Sequence, residues 1–120
     1  MRAILNKPYN SHSSPLFHAL KILKLKDIYK LQIGMLMKKH NSEKIVLSQR
    51  LQKLSNIHEH NTRSQAKKNY YLHSVNTNLG KNCFSFNGSQ VWNSLPCEIR
   101  NSSIFSFKRK LKNYLIEKYI

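Results

Sequence analysis

Carboxylates are scarce in this sequence. Among its 120 residues there is one aspartate, Asp27, and four glutamates that are scattered singly along the chain. A polymerase or nuclease that works with two metal ions needs carboxylates that converge on cations ~3.5–4 Å apart. Because no two acidic residues lie within one helical turn of each other, such a site requires long-range convergence. The sequence therefore disfavours metal-dependent catalysis, and we expect that the chain is not an enzyme.

Cysteine, glycine and long apolar runs are also sparse. The two cysteines, Cys83 and Cys97, are too few for a disulfide scaffold and lack the paired spacing of a zinc site. The three glycines form no phosphate-binding loop. No window approaches the ~18 apolar residues of a membrane span, and no signal-peptide core is visible. We therefore expect no cofactor, metal, small-molecule substrate or transmembrane segment, and an intracellular location, in a nuclear or cytoplasmic ribonucleoprotein.

Positive charge is what the sequence has in abundance. Its 21 Lys and Arg residues against 5 acidic residues give a formal net charge of +16. The charge is spread evenly, with 11 basic and 3 acidic groups in residues 1–60 and 10 and 2 in residues 61–120. Such a surface repels itself unless a polyanion neutralises it. RNA or DNA is the partner class that this predicts, with an acidic membrane as the other possibility.

The spacing of apolar residues predicts a mainly α fold, a small bundle of about four to five short helices with a polar connector and at most a short strand or hairpin. Ser14 as N-cap and Pro15 at the first helical position predict the first helix. A second helix begins near Leu25 and ends at Asn41, and a third covers residues 43–54. The second is expected to bury Ile28, Leu31, Met35 and Leu36, and the third Val46, Leu47, Leu51 and Leu54.

The segment 82–95 fits two incompatible structures. As a hairpin, it has strands on either side of a type I′ turn at Asn87-Gly88. As a helix capped by Asn82, it aligns Phe84, Gly88 and Trp92, and Pro96 stops it. We favour the helix, in which the small Gly88 allows another element to approach closely and Trp92 lies in the core. Before it, residues 56–69 are expected to form a polar connector and residues 70–75 a short strand.

The last helix carries the strongest functional signal. Ser103 is its predicted N-cap, and an apolar stripe of Ile104, Phe107, Leu111, Tyr114, Leu115 and Tyr119 faces the core. Its remaining surface is cationic and has few acids nearby, so we predict phosphate contacts there from Lys108, Arg109, Lys110 and Lys112. Further candidates lie in the connector. The planar guanidinium of Arg63 presents paired N–H donors suited to phosphate, and Lys67 and Lys68 follow it.

Five short motifs occur together in this sequence. In order they are Pro15-Leu16-Phe17, Leu23-x-Leu25-x-Asp27-Ile28-Tyr29-x-Leu31-Gln32, His58-x-His60-Asn61-Thr62-Arg63, Phe84-x-x-x-Gly88-x-x-x-Trp92-Asn93-x-Leu95-Pro96-x-x-Ile99-Arg100 and Phe107-Lys108-x-x-Leu111-Lys112-x-Tyr114-Leu115. This order resembles the region after the polymerase in jockey-like non-LTR retrotransposon reverse transcriptases. The resemblance covers nearly the whole chain, and the run from Trp92 to Arg100 is its most specific part.

The resemblance implies a role in holding template RNA or target DNA. In that family an endonuclease and a polymerase core come first, and the polymerase signature of an aromatic residue, any residue and two aspartates is absent here. It also implies a fragment with three parts. These are a helical segment (1–55) that continues from an upstream thumb-like region, a basic polar connector (56–81) and a C-terminal helical motif (82–120). The alternative function is a basic amphipathic module, residues 104–120, that binds a membrane surface or a protein partner.

Overall fold

A computed structural model of the protein describes residues 1–45 and 50–120. Within these ranges the chain is a small, mainly helical bundle, which confirms the predicted fold class. Four helices have seven residues or more: α1 (Ser13–Ala19), α2 (Leu25–Asn41), α5 (Phe84–Ser94) and α7 (Ile104–Glu117). Three are single turns: α3 (Arg63–Ala66), α4 (Asn78–Lys81) and α6 (Cys97–Arg100). A 3₁₀ turn covers Leu54–Asn56.

The core forms where α2 packs against both α5 and α7. Two glycines mark the contacts of closest approach. A Cβ atom on Gly34 of α2 would lie 2.6 Å from Leu111 Cδ2 of α7, and one on Gly88 of α5 would lie 2.8 Å from Met37 Sδ of α2. Both distances are too short for a real contact, so a side chain at either position would require the Leu111 or Met37 side chain, or the helix that carries it, to shift. The close approach predicted at Gly88 is therefore confirmed.

The buried face of α2 is not the predicted one. Of the four residues expected to be buried, only Leu31 is; Ile28 and Leu36 are exposed and Met35 is half-buried. The buried positions besides Leu31 are Ile33, Gly34, Met37 and Lys38. Apolar residues occur around most of this helix, so its sequence permits several inward faces. The helices α5 and α7 select the one that contains the small Gly34, where they can pack most closely.

Helix 82–95 is the correct alternative of the two, since Phe84–Ser94 is α-helical. Its N-cap is Cys83 rather than Asn82, and the extended Leu95 ends it as expected for a residue before proline. In α1 the predicted cap is also displaced, because His12 is the N-cap and Pro15 the third helical residue. The Ser14 hydroxyl instead accepts a hydrogen bond from Lys24 Nζ at 2.7 Å.

The third predicted helix, residues 43–54, is wrong in its described part. Glu43 has a left-handed backbone with φ of 60°, which ends the helical path after α2. Residues 44–45 and 50–53 are not helical, although Leu51 is buried as expected. Val46 and Leu47, the other two residues of its predicted apolar face before Leu51, lie outside the described residues. The connector that follows is more ordered than predicted, since Thr62 caps α3 by accepting from the Gln65 N–H.

The predicted strand 70–75 is reduced to one residue. Tyr70 forms an isolated antiparallel bridge with Lys53. On its other side the Asn93 side chain takes the place of a strand: Asn93 Oδ1 accepts from the Tyr70 N–H at 2.8 Å, and Asn93 Nδ2 donates to the Tyr70 carbonyl at 2.9 Å. The main chain of Tyr70 is therefore satisfied by one side chain of α5, and no sheet is needed to bury it.

Candidate nucleic-acid interface

The helix α7 begins at its predicted cap and buries three residues of its predicted stripe, Phe107, Leu111 and Leu115, together with Ile116, which the stripe did not include. Ser103 caps it, with its hydroxyl accepting from the Ser106 N–H, and Phe107 and Leu111 are completely buried against the core. Beyond the helix end, Tyr119 donates to Asp27 Oδ2 at 2.5 Å and accepts from the Lys24 N–H at 2.9 Å. These contacts fasten the chain end to the start of α2. The orientation of α7 is thus fixed along its length, which decides which side chains face outward.

All four predicted cations of α7 are exposed, but they do not form one face. With about 3.6 residues per turn, Lys108, Arg109 and Lys112 share one side of the helix and Lys110 lies on the other flank. Among the residues that the structure describes, no carboxylate lies within ion-pairing distance of any of them. We call Lys108, Arg109 and Lys112 the basic row of α7.

An aromatic residue extends the basic row toward the helix start. Phe105 is 95% exposed and lies one turn before Arg109 on the same side. Sequence reasoning did not identify it, although one signal was available: it falls outside the apolar stripe that contains its neighbours Ile104 and Phe107. An exposed ring beside cations is the combination that holds single-stranded nucleic acid, where bases stack and phosphates are neutralised.

Two aromatic residues of α5 lie in the core or against it. Trp92 is 2% exposed, and its ring centre lies 6.1 Å from that of Phe107 and 6.3 Å from that of Tyr70. The expectation that Trp92 lies in the core is therefore confirmed. Phe84 is half-buried and packs against the same core cluster. The buried Trp92 ring therefore has no free face for a base to stack on.

The connector cations Arg63, Lys67 and Lys68 are exposed too. The structure brings Lys67 and Lys68 to one small polar cavity, which they line together with Arg100. Arg63 lies at the first position of α3 and lines a second groove, which Lys68 also lines. The seven predicted residues thus fall into separate groups on α7 and around α3.

Two basic residues that the sequence did not single out are buried. Arg100 is 6% exposed; its guanidinium donates to Asn69 Oδ1 at 2.8 Å and contacts Cys97 Sγ at 3.5 Å. Lys38 is 9% exposed, donates from Nζ to the Arg100 carbonyl at 2.5 Å and lies 5.6 Å from the centre of the Phe107 ring. Burial lowers the pKa of Lys38. Nothing in the sequence around either residue indicates this burial, which depends on the meeting of α2 and α6.

Comparison of the chain with protein-family models, curated proteins and solved structures gave no match. Among the described residues, no three His, Cys, Asp or Glu side chains are grouped closely enough to hold a metal ion. Nor does any helix in that part of the chain have the length and apolar character needed to cross a membrane.

Proposed function

We propose that this chain is a non-catalytic module that binds RNA or DNA through phosphate contacts, as the C-terminal part of a retrotransposon reverse transcriptase. The observation that carries the proposal is the basic row of α7. Its three charges are exposed on a rigid helix and have no carboxylate to pair with among the described residues. Release of counterions from a phosphate backbone is the most favourable interaction open to such groups.

The arrangement supports binding with little sequence preference. The basic row offers charges to phosphates, and contacts to phosphates carry no information on base sequence. Phe105 adds a surface on which any base can stack. Similar affinity for unrelated sequences is therefore expected. The scarcity of carboxylates supports the non-catalytic part of the proposal, and we expect no metal-dependent primer extension from the purified chain.

The alternative, binding to an anionic membrane surface, uses the same charges in another way. An amphipathic helix binds lipid by burying its apolar face in the interface. In α7 that face is already buried: Phe107 and Leu111 are fully covered and Leu115 is 4% exposed. Lipid insertion therefore requires α7 to leave α2, whereas phosphate binding leaves the bundle intact.

Two assays on the whole chain distinguish the two functions. One measures binding to RNA and DNA oligonucleotides, and the other measures flotation with vesicles rich in phosphatidylserine. We expect shifts with both nucleic acids, an affinity that falls steeply with salt, and no change in Trp92 emission that would report detachment of α7. Flotation with vesicles at salt concentrations where the oligonucleotides no longer bind, accompanied by exposure of Trp92, would favour the membrane function instead.

A further inference from the structure

A small polar cavity lies between the end of α2, α3 and α6, and its volume is ≈ 140 Å³. Three of the residues that line it are cations, Lys67, Lys68 and Arg100, and none is acidic. Lys67 and Lys68 are exposed, so they border the mouth, while the guanidinium of Arg100 is buried among neutral groups. Cations therefore surround this cavity from two separate elements, α6 and the segment that ends α3.

Arg100 is the unusual member of this group. Arginine keeps its proton in proteins, and a buried charge is costly unless an opposite charge is close to it. The Asn69 amide oxygen and the Cys97 sulfur are the partners of its guanidinium, and Nε has no hydrogen-bond partner among the described residues. A second buried cation, Lys38, contacts the Arg100 carbonyl. Two cations thus share this part of the core, and no carboxylate in the described chain forms an ion pair with either.

We propose that this cavity binds a phosphate-type oxyanion, with Arg100, Lys67 and Lys68 as its ligands. A planar guanidinium presents paired donors to such an anion, and the two lysines add mobile donors at the mouth. The bound anion supplies the counter-charge that the buried guanidinium lacks. The proposal deepens the proposed function, because a backbone phosphate of RNA or DNA is one source of this chemistry, and free phosphate is the other.

The chain contains a built-in reporter and its control. Cys97 is exposed and lines the cavity, whereas Cys83 is exposed but lines a different groove, beside Gly80 and Phe86. The Cys83→Ser variant reports on Cys97, and Cys97→Ser reports on Cys83. The rate of thiol alkylation is measured as inorganic phosphate replaces chloride at constant ionic strength. We expect phosphate to slow the reaction of Cys97 along a saturating curve and to leave that of Cys83 unchanged.

Substitution at the cavity mouth tests the ligands without disturbing the core. Lys67→Gln and Lys68→Asn change exposed residues, and asparagine tolerates the left-handed backbone of Lys68, whose φ is 54°. In the Cys83→Ser background the double variant should need roughly tenfold more phosphate for half-protection, since charge-assisted hydrogen bonds are lost. Lys110→Gln, an exposed change on α7, is the matched control and should leave the curve unchanged. Trp92 emission, compared across the variants, verifies that each is folded.

The proposal would be overturned if phosphate slowed the alkylation of Cys97 and Cys83 equally. It would also be overturned if the Lys67→Gln, Lys68→Asn variant needed the same phosphate concentration for half-protection of Cys97 as the chain with both lysines. The source of the anion is decided by a short oligonucleotide used as a second probe. Protection of Cys97 at concentrations far below those of phosphate identifies a backbone phosphate, and protection by phosphate alone identifies the free anion. Protection of Cys97 by phosphate in a chain that binds no oligonucleotide would reject the proposed function and leave the oxyanion site standing.

Discussion

At the residue scale, single polar side chains replace missing secondary structure. Asn93 forms two hydrogen bonds with the main chain of Tyr70 and thereby supplies what a neighbouring strand would. The Arg100 guanidinium donates to Asn69 Oδ1, which holds the residue just before Tyr70. These contacts join the connector to α5 and α6. Asn93 and Arg100 thus both fix the connector to the bundle.

The burial of Tyr70 leads us to expect a loss of stability at alkaline pH. Burial raises the pKa of Tyr70 from 10.0 to about 12. Above pH about 10 the unfolded chain releases this proton while the folded chain keeps it, so the stabilisation is complete below that pH and is lost as the pH rises toward 12. The loss approaches about 3 kcal/mol at 1.36 kcal/mol per pH unit. In Tyr70→Phe, urea unfolding should show a free energy that falls less steeply with pH than in the wild type. Parallel curves for the two chains contradict this.

The exposed ring of Phe105 leads us to expect that the chain binds single-stranded nucleic acid in preference to duplexes. Phe105→Ala should leave the free energy of unfolding unchanged, because the side chain is 95% exposed. It should weaken binding to single-stranded oligonucleotides roughly tenfold or more, since each stacked base contributes ~1–3 kcal/mol, and should affect duplexes far less. Fluorescence anisotropy with labelled strands measures both affinities. Tyr9→Ala removes another ring, 90% exposed and remote from α7 in sequence, and serves as the control. An equal loss of affinity for single strands and duplexes rules out stacking.

At the element scale, the two sides of α7 differ in packing and charge. Its inner side packs on α2 at Gly34, where a Cβ atom would meet Leu111, and its outer side carries the basic row. Tyr119 holds the segment after α7 to Asp27 and Lys24 at the start of α2. Because the helix is held at both its middle and its end, the outward direction of the basic row is set by core packing. Changes on the outer side should therefore alter binding and spare the fold.

The basic row predicts the salt dependence of binding. Changing Lys108, Arg109 and Lys112 to Gln removes three of the charges that we propose as phosphate contacts. Each such contact contributes ~0.7–0.9 to the slope of log affinity against log salt, so the slope should flatten by about two to three units, about equally for unrelated sequences. Lys110→Gln, on the other flank, should change the slope by less than about one unit. If the triple variant showed the same slope of log affinity against log salt as the wild type, the contacts would lie elsewhere. Arg63, Lys67 and Lys68 would then be the next candidates.

At the scale of the whole molecule, a net charge of +16 opposes folding. The ion pair between Lys30 and Asp27, at 3.4 Å, is the one salt bridge found among the described residues. Lys30 is exposed, so that pair contributes little to stability. The bundle is therefore held by its apolar core, and anions in solution or a bound polyanion relieve the repulsion between its charges.

The charge predicts a melting temperature that rises with salt. Screening shortens the range of the repulsion from ~10 Å at 0.1 M to ~3 Å at 1 M ionic strength. Each kcal/mol gained raises Tm by about 4 °C in a domain of this size. Circular dichroism melts over this range of sodium chloride measure the increase. The matched control neutralises four exposed lysines away from the proposed contacts, Lys26, Lys39, Lys44 and Lys81, by substitution with Gln. The variant should melt higher at low salt and respond less to salt, and an identical salt response in both chains contradicts the prediction.

The sequence by itself determined the local features of this protein. The mainly helical fold, the Ser103 cap, the apolar stripe of α7 and the close approach at Gly88 follow from signals contained within one segment each. The exposure of the α7 cations follows as well, because a helix that buries one side must present the other.

Tertiary structure alone decided which face of α2 is buried, because that choice depends on helices that lie more than forty residues later in the chain. It also decided that residues 70–75 form no strand, since the Asn93 side chain satisfies Tyr70 from another element. The burial of Lys38 and Arg100 has the same origin. Nothing in their local sequence distinguishes them from the exposed cations, and only the meeting of α2 with α6 encloses their charges in the core.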